Sequence, residues 1–267
     1  MDFEQIIYDK SEGIATITLN RPERMNAFTP KMLDEWYAAL LDSHADPEVR
    51  AVIVTGAGRG FCSGADVTGG PLQGLMDPSR TPVENRNFLR DSVQRIPRLA
   101  ALLEKPYIAA VNGAAVGAGM DMASMCDVRF AAEGARFGMT YVRMGIIPGD
   151  GGAYYLPRIV GTARALDLIW TGRLMDAQEA LDMGYVSAVT PADGLMAHTL
   201  DYALRLARGP AVAIQQAKRL VYRSLDADVD AALDLAQQAM FICQSTEDAR
   251  EGPRAFAEKR EPQFKGR

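Results

Sequence analysis

Histidine and cysteine are scarce in this sequence of 267 residues. The two histidines, His44 and His198, occur in polar or helix-end surroundings, which argues against a histidine-based triad or metal cluster. The three cysteines, Cys62, Cys126 and Cys243, are scattered and lack C-x-x-C spacing. We therefore expect reduced thiols, with neither a disulfide framework nor a metal site.

Long apolar runs and an excess of positive charge are also missing. No run approaches the roughly 18 residues that a membrane span needs, and the first residues lack a signal-peptide core. The net charge of -5 argues against binding of nucleic acid or anionic membranes. We therefore expect a cytoplasmic protein whose length suits one α/β domain with a small appendage.

Strand and helix patterns alternate over the first two thirds of the chain. Residues 3–9 and 14–20 are typical of a β-hairpin, and the apolar run at 51–55 is typical of a parallel strand covered on both faces. Only helical patterns follow in the last third, with helices predicted at Ala211–Ser224 and 229–243. The order predicts an α/β core with a helical C-terminal extension.

A helix near the N-terminus has clear signals at its start. Thr29 is placed to cap the helix, and Pro30 occupies the first helical position. The apolar residues at helical spacing predict a buried face made of Leu33, Trp36, Tyr37, Leu40 and Leu41.

The stretch 108–127 combines a strand, a glycine turn and a helix. Gly117 and Gly119 follow the strand, and good helix formers begin at Met120. The first N–H groups of such a helix are unpaired, so the stretch predicts either a backbone anion site or a tight connection without a ligand. Asp121, one turn into the helix among apolar neighbours, favours a site with acid–base chemistry.

Three other segments are irregular. The glycine-rich turn at 56–66 has G-x-G-x-G spacing, which is weak support for a dinucleotide site. Residues 69–87 have the prolines of a long loop that covers a site and leads into a helix at 88–103. Residues 135–152 are predicted to form an irregular loop wrapped around a ligand.

Five motifs follow one another along the chain. They are LNRP with NA at 19–27, GFCSGAD at 60–66, VNG with GAG at 111–119, GIIP with GG at 145–152, and EKR at 258–260. Together they resemble the crotonase superfamily, the enoyl-CoA hydratase/isomerase fold, over essentially the whole chain. The resemblance implies an α/β fold with a repeated ββα spiral core at 1–200 and a helical oligomerisation region at 201–267. It also implies a homotrimer or homohexamer, an acyl-CoA substrate, and no cofactor apart from the coenzyme A of that substrate.

The family's binding residues can be carried over where the motifs match. Ala65 and Ala118 fall at the two positions whose backbone N–H groups form the family's oxyanion hole for the thioester carbonyl. The resemblance assigns coenzyme A contacts to Arg24, Ala27, Asp66, Val67, Thr68 and Lys259, the last from another subunit. For Arg24 and Lys259 the alternative is an ordinary solvated charge.

The sequence departs from the family at both catalytic acids. Typical hydratases of the family use two glutamates, and here the first position holds Asp121 and the second Tyr141. An aspartate reaches on the order of 1.5 Å less far than a glutamate, and a tyrosine can donate a proton but is no carboxylate base near neutral pH. Tyr141 is therefore either a catalytic donor or, the interpretation we favour, an aromatic wall of the acyl pocket.

Asp150 is a further catalytic candidate. It lies one place beyond the position where related double-bond isomerases carry an aspartate. It either pairs with Asp121 at the site or caps the helix that follows, and the sequence slightly favours the cap.

Three functional hypotheses follow from the resemblance. The first is an enoyl-CoA hydratase or double-bond isomerase that acts through Asp121, aided by Asp150 or Tyr141, since an isomerase needs only one proton-shuttling base. The second is an acyl-CoA thioester or C–C hydrolase with the same oxyanion hole. The third is a protein that binds a coenzyme A thioester with little catalysis.

Overall fold

The computed structural model describes residues 2–66 and 79–267. The strands of the described residues are β1 (Ile6–Ser11), β2 (Ile14–Leu19), β3 (Ala51–Gly56), β4 (Gly60–Cys62), β5 (Tyr107–Val111), β6 (Ala114–Val116), β7 (Val128–Ala132), β8 (Arg136–Gly138), β9 (Met175–Asp176) and β10 (Ala188–Thr190). The α-helices are α1 (Pro30–Ala45), α2 (Pro82–Phe88), α3 (Arg95–Leu102), α4 (Ala118–Ser124), α5 (Gly152–Val160), α6 (Thr162–Thr171), α7 (Ala177–Asp182), α8 (Leu195–Ala207), α9 (Ala211–Ser224), α10 (Val229–Gln244) and α11 (Asp248–Glu258). Shorter turns form 3-10 helices at Pro22–Arg24 and Thr140–Met144 and a π-helix at Leu89–Val93. Nowhere in the described ranges does a helix combine the length and apolarity that crossing a membrane requires.

The larger sheet has six strands in the order β1-β2-β3-β5-β7-β10. The antiparallel pair of β1 and β2 confirms the predicted hairpin, and every other neighbouring pair in this sheet is parallel. All residues of β3 and β5 are buried, as expected for central strands that are covered on both faces.

The smaller sheet is built from strands that follow directly on the larger one. A short turn separates β3 from β4 and β5 from β6, and β4, β6 and β8 pair in parallel. This arrangement confirms the predicted ββα core. A glycine turn was predicted where β6 lies and an irregular loop where β8 lies, because a three-residue strand is too short to show an alternating pattern.

The predicted start of α1 is confirmed, and its predicted buried face is partly wrong. The hydroxyl group of Thr29 accepts a hydrogen bond of 3.1 Å from the Met32 N–H. Met32 and Ala39 are fully buried, whereas Leu41 is 45 % exposed. The buried face of the helix is therefore rotated from the prediction, away from Leu41 and toward Met32 and Ala39.

The C-terminal helices differ in how they meet the core. α8 packs on the larger sheet, with Leu195 and Ala203 in a second apolar cluster beside β3 and β5. α9 and α10 pack on each other and contain no fully buried residue, although they carry exposed apolar side chains such as Val221 and Phe241. The division at residue 200 falls within α8 and stays a prediction.

Candidate active site

A cavity of about 600 Å³ opens where β4 and β6 end. Two short segments form one side, Ser63 to Asp66 after β4 and Gly117 with Ala118 after β6. Residues of the segment 140–150 form much of the remaining wall. The two glycine-rich segments and the predicted ligand loop thus surround one space.

Glycines allow the two short segments to touch. Gly64 has φ +95°, and a Cβ atom there would lie 3.1 Å from the carbonyl oxygen of Val116 and 3.4 Å from the Ala118 nitrogen. A Cβ atom at Gly119 would lie 1.9 Å from the carbonyl oxygen of Cys62. Larger residues would push the segments apart, so glycine is required for the close approach of the backbone.

Ala65 and Ala118 both line the cavity, as the oxyanion-hole prediction requires. Ala118 is the first residue of α4, where a helix leaves its N–H groups without internal partners. In the ranges 2–66 and 79–267 no backbone carbonyl accepts a hydrogen bond from either N–H group. Two backbone donors are therefore available on adjoining segments of the cavity wall.

The three predicted catalytic side chains meet at a single point. The Tyr141 hydroxyl oxygen lies 2.8 Å from Asp121 Oδ2 and 3.1 Å from Asp150 Oδ2. The N–H group of Asp150 also donates to Asp121 Oδ2, at 3.3 Å. The favoured interpretation of Asp150 as a helix cap is wrong, because α5 begins after Gly151 without a side-chain cap.

The three side chains differ in their access to the cavity. Tyr141 and Asp150 line it, although only 8 % and 3 % of their surfaces are exposed. Asp121 has no exposed surface and does not form part of the wall. Tyr141 is thus both a wall of the pocket and a polar contact, and Asp121 lies behind it.

Burial raises the pKa of both carboxyl groups. Burial and then the nearby charge of Asp150 raise the pKa of Asp121 to about 8, and burial raises the pKa of Asp150 to about 6. Burial, followed by the two carboxylates, raises the pKa of Tyr141 well above its usual value. The tyrosine hydroxyl therefore keeps its proton, and near neutral pH the carboxyl pair retains a proton as well.

Gln94 is a supporting residue that was not predicted from the sequence. Its Nε2 atom donates a hydrogen bond of 2.9 Å to the carbonyl oxygen of Gly149, next to Asp150. The side chain lines the cavity and follows the π-helix Leu89–Val93, which interrupts the helix predicted at 88–103. π-helical turns are frequent at functional sites, but nothing in the sequence around Gln94 signals one.

The predicted coenzyme A contacts are only partly brought together. Asp66 lines the cavity and forms an ion pair of 2.9 Å with Arg21, whose Nη1 atom also donates to the carbonyl oxygen of Ala27 at 2.6 Å. Arg24 is exposed at the end of a 3-10 helix. Arg21 lies in the LNRP motif, and its ion pair with Asp66 was not predicted.

The other predicted contacts lie elsewhere. Val67 and Thr68 fall outside the described residues. Lys259 is exposed after α11, which packs on α10, and it does not line the cavity of its own chain. Its predicted contact across a subunit interface stays a prediction.

The family of the chain follows from comparison with known proteins. The family model described as Enoyl-CoA hydratase/isomerase matches residues 9–267. The chain belongs to the enoyl-CoA hydratase/isomerase family. The match spans all the elements of the cavity described above and confirms the resemblance to the crotonase superfamily.

Relatives and solved structures of this family match the chain over nearly its full length. The chain is 38% identical to the short-chain-enoyl-CoA hydratase of Clostridium acetobutylicum, with 100% of both chains covered. It is 37% identical to the crotonyl-CoA hydratase of Syntrophomonas wolfei, with 99% of both covered. The crystal structure of an enoyl-CoA hydratase from Bacillus anthracis superposes with a TM-score of 0.91 at 33% identity, covering 99% of this chain and 100% of that one. An enzyme of the enoyl-CoA hydratase family is therefore established.

Proposed function

We propose that this enzyme moves the double bond of an enoyl-CoA thioester between the 3,4 and 2,3 positions. The single observation that carries the proposal is that one carboxyl group, Asp150, lines the cavity, while the other, Asp121, lies behind the wall. Migration of a double bond needs a proton to be removed from one carbon and a proton to be added to another, and one substrate-facing base is sufficient for the removal.

The oxyanion hole is the electrostatic part of this proposal. Loss of the proton next to a thioester places negative charge on the carbonyl oxygen, and the N–H groups of Ala65 and Ala118 are the available donors. One such donor contributes roughly 2.7 to 4 kcal/mol to transition-state stabilisation. The pair would lower the barrier to forming the enolate that both hydration and migration require.

Hydration is the second candidate function, because relatives of 37% and 38% identity are named as hydratases. Hydration needs a base for water and a donor for the carbon next to the thioester. Asp150 would serve as the base and the Tyr141 hydroxyl as the donor. The Tyr141 hydroxyl already forms hydrogen bonds with both carboxyl groups. A water molecule would therefore compete with Asp121 and Asp150 for the hydroxyl.

Coenzyme A would occupy the outer part of the cavity. The proposal places the adenine and the nucleotide end against Ala27, Asp66, Val67 and Thr68, with Arg24 and the Lys259 of a second subunit near the phosphates. An ion pair with Arg21 fixes the position of Asp66 at the outer part of the cavity. The unburied apolar faces of α9 and α10 support a homotrimer or homohexamer.

The experiment is to incubate the protein in D₂O with a panel of 2-enoyl-CoA and 3-enoyl-CoA thioesters and to follow products by mass and by NMR. A moved double bond without added water is the result expected of the isomerase. Addition of water to a 2-enoyl-CoA would establish the hydratase instead. Turnover of neither substrate class would overturn both candidates.

A further inference from the structure

We propose that Asp121, Tyr141 and Asp150 form a closed proton relay in which Asp150 removes the substrate proton and Tyr141 delivers a different one. The relay rests on the proposed function, since it describes how the same site would move a double bond. It gives Asp121 the role of a positioning and proton-storing residue that never touches the substrate. The inference comes from the three hydrogen bonds that join these residues, two of which are made by the Tyr141 hydroxyl.

The hydrogen count at Tyr141 requires a second proton. A tyrosine hydroxyl carries one proton, and it can donate to only one acceptor while accepting from another group. Its oxygen lies 2.8 Å from Asp121 Oδ2 and 3.1 Å from Asp150 Oδ2. Two ionised carboxylates cannot both receive the one proton, so one of the carboxyl groups is protonated and donates to the tyrosine oxygen.

The surroundings hold that proton inside the group. Asp121 Oδ1 is buried against the backbone of Gly152, and within the described ranges no ion pair joins a Lys, Arg or His to either carboxyl group. The other titratable groups that face them are Cys62 and Tyr185, and burial raises the pKa of both. Because no cation in the described part of the chain pairs with either carboxyl group, a proton shared between them reduces the repulsion between the two acids.

The catalytic step is balanced within the relay. At the start Asp150 is ionised, Tyr141 is a neutral phenol and Asp121 is protonated. Asp150 takes a proton from the carbon next to the thioester, and the C–H electron pair enters the enolate. The enolate electrons then form a C–H bond with the Tyr141 proton at the second carbon, while Asp121 gives its proton to the tyrosine oxygen.

The starting state returns without water. After the step Asp150 is protonated, Tyr141 is again a phenol and Asp121 is ionised. Asp150 passes its proton to the tyrosine oxygen as the tyrosine proton moves to Asp121 Oδ2, along the same two contacts of 3.1 and 2.8 Å. One turnover thus exchanges the substrate proton for the stored one, whereas a single base would return the proton that it removed.

Single-turnover labelling tests the relay. The enzyme is equilibrated in D₂O, mixed in excess with a 3-enoyl-CoA in D₂O and quenched before a second turnover. The expected 2-enoyl-CoA carries one deuterium at C4, which comes from Tyr141. In Tyr141→Phe the rate should fall at least about 10²-fold, as for loss of a general acid, and the residual product should carry the substrate's own proton.

Two further variants make the result specific. Asp121→Asn keeps the tyrosine but removes its proton source, and it should show a rate loss of the same order and the same loss of label. It also serves as the test if Tyr141→Phe does not fold. Tyr8→Phe is the matched control, because the Tyr8 hydroxyl donates to Asp42 at 2.7 Å outside the site, and its rate and label should equal those of the wild type.

The outcomes separate the relay from the proposed function. Wild-type product without deuterium, or equal rate and label in wild type and Tyr141→Phe, overturns the relay while leaving the isomerase intact. The same holds for an Asp121→Asn variant with wild-type rate and label. If the wild type moves no double bond at all, the proposed function itself has failed.

Discussion

The carboxyl group of Asp121 occupies the space that a side chain at Gly152 would need. A Cβ atom at Gly152 would lie 2.0 Å from Asp121 Oδ1 and 2.7 Å from its Cγ atom. Gly152 is the first residue of α5, so this contact ties the start of α5 to the acid on α4. The position of the buried acid thus depends on the absence of a side chain at residue 152.

Gly152→Ala is expected to displace Asp121 and to impair both activity and stability. Overpacking of a buried position costs typically about 1 to 3 kcal/mol of unfolding free energy. Urea denaturation and turnover of the enoyl-CoA panel measure the two effects. Gly134→Ala is the control, since a Cβ atom there meets nothing within 4 Å. Equal stability and activity of the two variants would contradict the steric role of Gly152.

The unfolding free energy is expected to fall as the pH rises above the usual pKa of an aspartate. Because the pKa values of Asp150 and Asp121 are raised to about 6 and about 8, the native state binds more protons than the unfolded state between about pH 4 and 8. The unfolding free energy then decreases as the pH rises, by up to about 1.4 kcal/mol per pH unit for each proton that the native state binds in excess of the unfolded state.

Urea titrations of the wild type and of Asp121→Asn from pH 4 to pH 9 measure this dependence. The variant lacks one of the two titrating groups, so its unfolding free energy should depend less on pH than that of the wild type. The stability of the variant relative to the wild type should therefore increase with pH. The exposed Asp193 provides the control substitution Asp193→Asn, whose curve should run parallel to the wild type. A wild-type stability that rises through this range would show that the pair is not held protonated.

Gln94→Met is expected to reduce kcat about 3- to 10-fold. The substitution keeps the length of the side chain and removes the hydrogen bond to Gly149, and a neutral hydrogen bond contributes about 0.5 to 1.5 kcal/mol. The loss should appear in kcat because the bond positions the loop that carries Asp150. Gln178→Met removes an exposed bond of 2.8 Å to Asp182 and should leave kcat unchanged. Equal kcat in both variants would remove Gln94 from the support of the site.

Phe241→Asp is expected to weaken the proposed assembly into trimers or hexamers. Phe241 is 73% exposed on α10, a helix that has no fully buried residue in the single chain. A charge placed in an apolar interface opposes association. Sedimentation velocity measures the mass, and Ile7→Asp, at a 52% exposed position on β1, is the comparison. An unchanged assembly in Phe241→Asp would place the interface elsewhere.

Local signals in the sequence predicted the elements that depend on local energetics. The Thr29 cap, the bounds of α9 and the parallel strand β3 followed from capping, periodicity and a continuous apolar run. Leu41 was placed on the wrong side because helical spacing alone cannot tell which neighbour of Leu40 faces the sheet. The rotation of a helix is decided by packing against another element.

The candidate residues were predictable from the sequence, but their roles were not. Asp121 stood out because a charged residue lay among apolar ones, and Tyr141 and Asp150 came from the family motifs. Their contacts join residues 20, 29 and 9 positions apart, across α4, a 3-10 helix and a loop. Which acid reaches the cavity depends on the path of that loop, and no periodic pattern encodes such a path.

The placement of Asp121 behind the cavity wall has a consequence for inhibitor design. A compound shaped for two opposed carboxylates would meet one carboxyl group and one phenol here, because Asp121 presents no surface to it. Its second cationic arm would meet the neutral phenol of Tyr141 in place of a carboxylate and would lose the ion pair. Selective compounds for this enzyme would instead carry one group for Asp150 and an acceptor for the Tyr141 hydroxyl.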